Sequence, residues 1–107
     1  MIKIDIKPLS VNQAWQGRRF KTKVYKDYER DLLLMLPKLK IPEKPFAVNI
    51  VFGFSNKMSD IDNPLKPCLD ILQKRYGIND KDIYSLTVRK EIVKKGKDFI
   101  SFEINSV

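Results

Sequence analysis

The stretch FAVNIVFGF, residues 46–54, constrains the fold more than any other part of the chain. Phe46, Val48, Ile50, Phe52 and Phe54 fall on one face of an extended backbone, as the two-residue period of a strand requires. The opposite face carries Ala47, Val51 and Gly53, none of which needs water. A strand apolar on so much of both faces belongs inside a sheet, with a neighbour on each side. Weaker strands must flank it, and helices must cover it.

Candidates for those elements follow from periodicity. IKIDI, residues 2–6, alternates Ile2, Ile4 and Ile6 against Lys3 and Asp5 as a half-wet strand, ended by Pro8 and Ser10. Residues 11–23, VNQAWQGRRFKTK, keep no steady period and read as a loop with two large aromatics, Trp15 and Phe20. From Tyr25 to Leu36 a helical period runs through Tyr25, Tyr28, Leu32, Met35 and Leu36, and Pro37 closes it. A second helix runs from Asn63 or Pro64 to Tyr76 and stops at Gly77. Its buried stripe is expected through Leu65, Leu69, Leu72 and Tyr76, with Cys68 at the edge. Residues 83–93 and 98–105 read as strands joined through KKGKD, with Leu86, Val88, Ile100, Phe102 and Ile104 pointing inward. The resulting order, β-α-β-α-β-β over residues 1–107, predicts one small α+β domain: a mixed β-sheet packed by two main helices.

Charge narrows the partners. The formal net charge is +8, and histidine is absent. Residues 1–59 hold 12 Lys and Arg against 5 Asp and Glu, whereas residues 60–107 hold 9 against 8. Such a surplus favours an anionic partner such as nucleic acid. Its densest part is Arg18, Arg19, Lys21, Lys23 and Lys26, where phosphate attraction would be largely independent of sequence. Trp15 and Phe20 fit structural roles better than base stacking. The single cysteine, Cys68, lies in the apolar register of the second helix and reads as a buried hydrophobe rather than a nucleophile. No run approaches the roughly 20 apolar residues of a membrane span. The expectation is a cytoplasmic protein with no membrane partner.

Against this basic background, SDIDNPLKPCLDILQ, residues 59–73, sets two aspartates at spacing two before a helix. If residues 59–62 are extended, Asp60 and Asp62 point the same way and Ile61 points into the protein. Asp62 or Asn63 can cap the helix, and Pro64 suits its first position. Pro67 fits only with a cap near Pro64 or a distorted first turn. Lys66 lies off the buried stripe, from where its amine can extend toward Asp62. Asp70 pairs with Lys66 or Lys74 in a structural role. Beyond Gly77, Asp80 and Asp82 compete as a third carboxylate if the chain returns toward the first pair. Three carboxylates on a basic protein suit a hard cation with oxygen ligands, namely Mg²⁺, for which Mn²⁺ can substitute. The plain alternative is a capped, solvated loop.

At these residues the sequence resembles the RusA family of phage and prophage Holliday-junction resolvases. DIDNPLKPCLDIL, residues 60–72, is similar to that family's Asp-x-Asp-Asn motif with a lysine four residues after the second aspartate. The likeness continues through Gly77, Asp80 and IYSLTVRKE, residues 83–91, which includes Lys90, and extends loosely over the rest of the chain. The resemblance implies a dimeric, Mg²⁺-dependent endodeoxyribonuclease of phage or prophage origin, acting in the bacterial cytoplasm. It would make paired, ligatable nicks at four-way DNA junctions. It also implies Asp60, Asp62 and Asp80 as catalytic metal ligands and Lys66 as the essential lysine. Lys90 joins the basic run as a DNA-binding candidate. The chain departs from the family in having Asn79 beside Asp80, where two adjacent acids are frequent. Three rivals make distinct predictions: an inactive junction-binding module, an Mg²⁺-dependent nuclease for flaps or other branched DNA, and a structural phage protein.

Overall fold

The computed structural model describes residues 1–10, 15–16 and 20–107, with only the backbone described at residues 15, 16 and 20. Along the chain run β1 (Ile2–Ile4), β2 (Trp15–Gln16), β3 (Phe20–Lys21), α1 (Lys23–Met35), β4 (Phe46–Phe54), α2 (Leu65–Tyr76), a 3-10 turn (Asp80–Asp82), β5 (Ile83–Ile92) and β6 (Phe99–Ser106). The main sheet has the order β1-β6-β4-β5, with β4 and β5 parallel and the other pairs antiparallel. The fold is therefore α+β, with a four-stranded mixed sheet and two helices. β2 and β3 pair as a small antiparallel hairpin inside the segment read from sequence as a loop. Two residues per strand are too few to show a period.

The strand with two apolar faces lies inside the sheet, as its composition requires. Phe46, Val48, Ile50, Phe52 and Phe54 are all buried, and they join Tyr25, Leu32, Cys68, Ile71 and Leu72 from the helices in one core. Ile100 and Phe102 from β6 complete it, with Ile104 and Val88 packed at its margin. Leu86 shares their face but sits on the edge strand and stays 41% exposed. On the opposite face, Asn49 donates to Glu103 at 2.8 Å. There the Phe99 ring lies so close over Gly53 that a Cβ at this position would overlap it.

Thr22 caps α1, its hydroxyl accepting from the Tyr25 amide at 3.1 Å. Tyr25, Tyr28, Leu32 and Leu36 are buried, while Met35, placed in the same stripe by periodicity, stays exposed as the helix ends. Helix α2 starts later than expected, with Pro64 at its cap and no side-chain capping bond from Asp62 or Asn63. Pro67 thereby falls at the third helical position, where its missing N–H costs no intrahelical bond. The helix also sits rolled relative to the stripe expected from its leucine spacing. Its buried residues are Pro67, Cys68, Ile71 and Leu72, with Leu65, Leu69 and Tyr76 only partly covered. Gly77 closes it in the left-handed region at φ 64°.

Since β4 and β5 are parallel, the chain between them must cross from one end of the sheet to the other. Register fixes which segments meet. Phe54 pairs with Ile92 and Gly53 with Phe99, so β4 and β5 end where β6 begins. Ile4 pairs with Ile100, so β1 ends there too. Residues 5–10, 55–64 and 93–98 consequently gather at one end of the sheet, which holds the acidic loop.

Candidate active site at one end of the sheet

The loop from Ser55 to Pro64 is held by its own side chains and by a neighbouring strand. The Asn56 carboxamide oxygen accepts from the Met58 amide at 2.8 Å, forming a local turn. On β5, Lys90 lies beside Phe52, in the cross-sheet row with Ile100 and Ile4. Its ammonium donates to the Ser59 carbonyl at 2.7 Å and to the Lys57 carbonyl at 3.4 Å. A charged donor on two carbonyls is among the stronger single contacts a loop can have. Immediately after it comes Asp60, whose Oδ2 accepts from Asn63 Nδ2 at 3.1 Å. The backbone then bends at Ile61 and Asp62, and the Leu65 amide donates to the Asp62 carbonyl at 3.1 Å.

Both aspartates are exposed. The route to that exposure differs from the extended segment expected. With a bend in place of a strand, Ile61 does not enter the core and remains 42% exposed. Asn63 serves Asp60 instead of the helix. A cleft of about 380 Å³ adjoins Asp60, bordered by Lys7, Pro8, Phe54, Asn63 and Asp98.

Lys66 does not lean toward Asp62. Turning α2 to bury Cys68 and Ile71 puts Lys66 and Asp70 on the outer side, where Lys66 Nζ meets Asp70 Oδ1 at 2.7 Å. Lys66 is 64% exposed, so this pair contributes little to stability and leaves the lysine available. Lys74, the other partner considered for Asp70, goes instead to Glu29 on α1 at 3.3 Å.

Asp80 stands apart from Asp60 and Asp62. Helix α2 carries the chain away from the acidic loop over 12 residues, about 18 Å at 1.5 Å per residue. Asp80 to Asp82 precede Ile83, which pairs with Phe46 at the start of β4, and Asp82 lies 4.0 Å from Lys44. The Asp80 amide donates to Gln73 Oε1 at 3.0 Å, near the helix end. The expected return toward the first pair does not occur within one chain, because helix and strand both end at the far side. Among the described residues, no three side chains of His, Cys, Asp or Glu gather as a metal group.

Of the basic run, Arg18 and Arg19 lie outside the described residues. Lys21 is bound to Glu29 at 3.2 Å and Lys23 to Asp27 at 3.1 Å, while Lys26 is exposed. Burial would raise the Glu29 carboxyl, but the ammoniums of Lys21 and Lys74 outweigh it and hold the group below its ordinary value of 4.5. Cys68 is fully buried, and desolvation pushes its thiol up to about 12, which removes it from nucleophilic chemistry. The contacts of Asn63 and Lys90 were missed in the sequence. Asn63 stood in plain view within Asp-x-Asp-Asn, whereas the Lys90 contact spans 31 residues and depends on strand register.

The pattern of an exposed aspartate pair on a loop fixed by a lysine, in a basic α+β chain, fits phosphodiester chemistry. No helix among the described residues is long and apolar enough to cross a membrane. The sequence profile of the family described as Endodeoxyribonuclease RusA matches residues 6–103. No curated protein matches the chain. Residues 6–103 take in both helices, β2 to β5 and most of β6, leaving out only β1 and the last residues of β6, and on that coverage the chain belongs to the RusA endodeoxyribonuclease family.

Proposed function

We propose that this chain is an Mg²⁺-dependent, structure-selective endonuclease that makes paired symmetric nicks at four-way DNA junctions and leaves ligatable ends. The observation that carries the reading is the loop presenting Asp60 and Asp62, pinned by Lys90 and Asn63 at one end of the sheet. Two exposed carboxylates are a fitting donor set for Mg²⁺, which is commonly held by one or two carboxylates and completed by substrate phosphate and water. Asp60 and Asp62 would hold it; Asn63 orients Asp60 by occupying Oδ2. When bound, such an ion activates water and stabilises charge on a phosphate oxygen. Mn²⁺ is the expected substitute. Lys66, exposed and able to exchange Asp70 for phosphate, supplies positive charge beside the scissile group.

A four-way junction needs two incisions, and one chain offers one acidic loop. A two-fold homodimer supplies the second. It also gives Asp80 a role, because only a second chain can bring that carboxylate to the Asp60 loop. β5 runs from the Asp80 end to the loop end and lies at a sheet edge. Antiparallel apposition of two such edges would set one chain's Asp80 near the other's loop.

The test incubates purified protein with four-way junctions, duplex and flap DNA, in Mg²⁺ or chelator, and maps nicks on every strand. Paired Mg²⁺-dependent nicks are expected on junctions, falling at least about 100-fold in Asp60→Asn, in line with the several kcal/mol that metal charge stabilisation supplies. Preferential cutting of flaps would favour the flap-nuclease reading, and junction binding without incision would favour the inactive module.

A further inference from the structure

The cleft beside Asp60 does not stop at the acidic loop. It shares Lys7, Ser55 and Asp98 with a second hollow of about 650 Å³, so the two make one continuous groove. Lys3, Asp5 and Lys7 border that hollow along and beyond β1, and Lys95, Gly96 and Lys97 border it from the turn between β5 and β6. Strand register explains the meeting: β1 and β5 end at the side of the sheet where β6 starts.

The second hollow carries four lysines against two aspartates, Asp5 and Asp98, while Asp60 borders the first. Its borders are formed by defined elements. Lys3 Nζ sits 4.6 Å from the centre of the Phe99 ring, and the Lys97 amide donates to the Lys94 carbonyl at 3.0 Å. Gly96 takes the left-handed conformation, φ 83°, that this turn requires. The lysines here also differ from those of the basic run. Lys21 and Lys23 are neutralised by Glu29 and Asp27, whereas among the described residues Lys7, Lys95 and Lys97 enter no ion pair. Unneutralised ammoniums along a channel that leads to a carboxylate pair are suited to a polyanion that must pass through that site.

We infer that this groove carries the sugar-phosphate backbone of the DNA arm leaving the Asp60 site, with Lys3, Lys7, Lys95 and Lys97 along the phosphates. The inference rests on the reading of DNA as partner and adds the path that the DNA takes. It assigns the main phosphate contacts to the far ends of the sequence rather than to Lys21 and Lys23.

The experiment measures four-way junction affinity in chelator, without metal, over a range of salt concentrations. It compares the unmodified protein with Lys95→Gln/Lys97→Gln, with Lys7→Gln, and with Lys38→Gln/Lys40→Gln as a control. The control residues are exposed and precede β4, away from the groove. Each phosphate-bound lysine removed lowers the slope of log affinity against log salt by about 1. The Lys95/Lys97 variant should therefore lose about 2 in slope and Lys7→Gln about 1, while the control keeps the unmodified slope. Equal slopes in all four proteins, an equal loss in the control, or no junction binding by unmodified protein would overturn the path. Because no metal is present, the result stands apart from the nuclease reading, whose failure appears as absent nicks in Mg²⁺ by a protein that still binds.

Discussion

At the scale of single residues, Lys90 shows how a charged group can hold a loop in place. It stands on the core-facing side of an edge strand, and its ammonium is taken up by the Ser59 and Lys57 carbonyls. These contacts suit Lys90 to positioning the loop, a role to be set against the DNA contact expected from its sequence context. Lys90→Met should cost about 2 kcal/mol of stability, the net value of a hydrogen bond made by a charged group. It should lower nicking by up to about 100-fold, because displacement of a reacting group by 1 Å is enough for such a loss. Metal-free junction affinity should not change, whereas a phosphate contact would reduce it together with the salt slope; parallel binding and nicking titrations separate the two roles. Asp60, Asp62 and Asn63 were legible as a motif because they are contiguous. The engagement of Lys66 by Asp70 was legible only as one of two options, since the choice depends on how α2 rolls on the sheet.

Between elements, the contact of α1 with α2 is where burial and ionisation are linked. Tyr25 on α1 is raised to about 12 by desolvation, with Asp70, Glu29 and Cys68 adding to it, and Cys68 on α2 is raised to about 12 by desolvation alone. In the unfolded chain these groups ionise near 10.0 and 9.0, so the folded state favours their protonated forms. That stabilisation is fully present below about pH 9 and is lost as pH rises through about 12. Thermal melts should accordingly show no pH dependence from this pair in the neutral range and a progressive fall in melting temperature between about pH 9 and 12. A Cys68→Ala variant should show a shallower alkaline fall; an unchanged curve would assign the effect to Tyr25. Sequence periodicity found both helices but misplaced the buried face of the second. Leu65, Leu69 and Leu72 suggested a stripe by hydrophobicity, yet the helix rolls on the sheet so that Pro67, Cys68 and Ile71 come under cover with Leu72. The strands were easier, because alternation in residues 46–54 and 99–104 maps directly onto two faces.

For the whole molecule, the decisive geometry is the separation of Asp80 from the acidic loop by the full crossover between two parallel strands. The sequence could show that a helix returns along the sheet, but not that the return ends at the opposite side, since that follows from the parallel pairing of β4 with β5. If Asp80 completes the site of a second chain, mixing two inactive proteins should restore function. A dimer of Asp60→Asn with Asp80→Asn would contain one site with both defects and one with neither. It should make single unpaired nicks, detected on labelled junction strands, whereas acids acting within one chain would leave both sites dead. The close approach of Gly53 to Phe99 reaches further than packing, because these residues tie the end of the central strand to the border of the groove, with Lys3 on the same ring. Position 53 and position 99 therefore share one volume. Any descendant of this chain that acquires a side chain at 53 must surrender the ring at 99, so the two sites should drift together, and a directed search for new junction preferences has to vary them as a single unit.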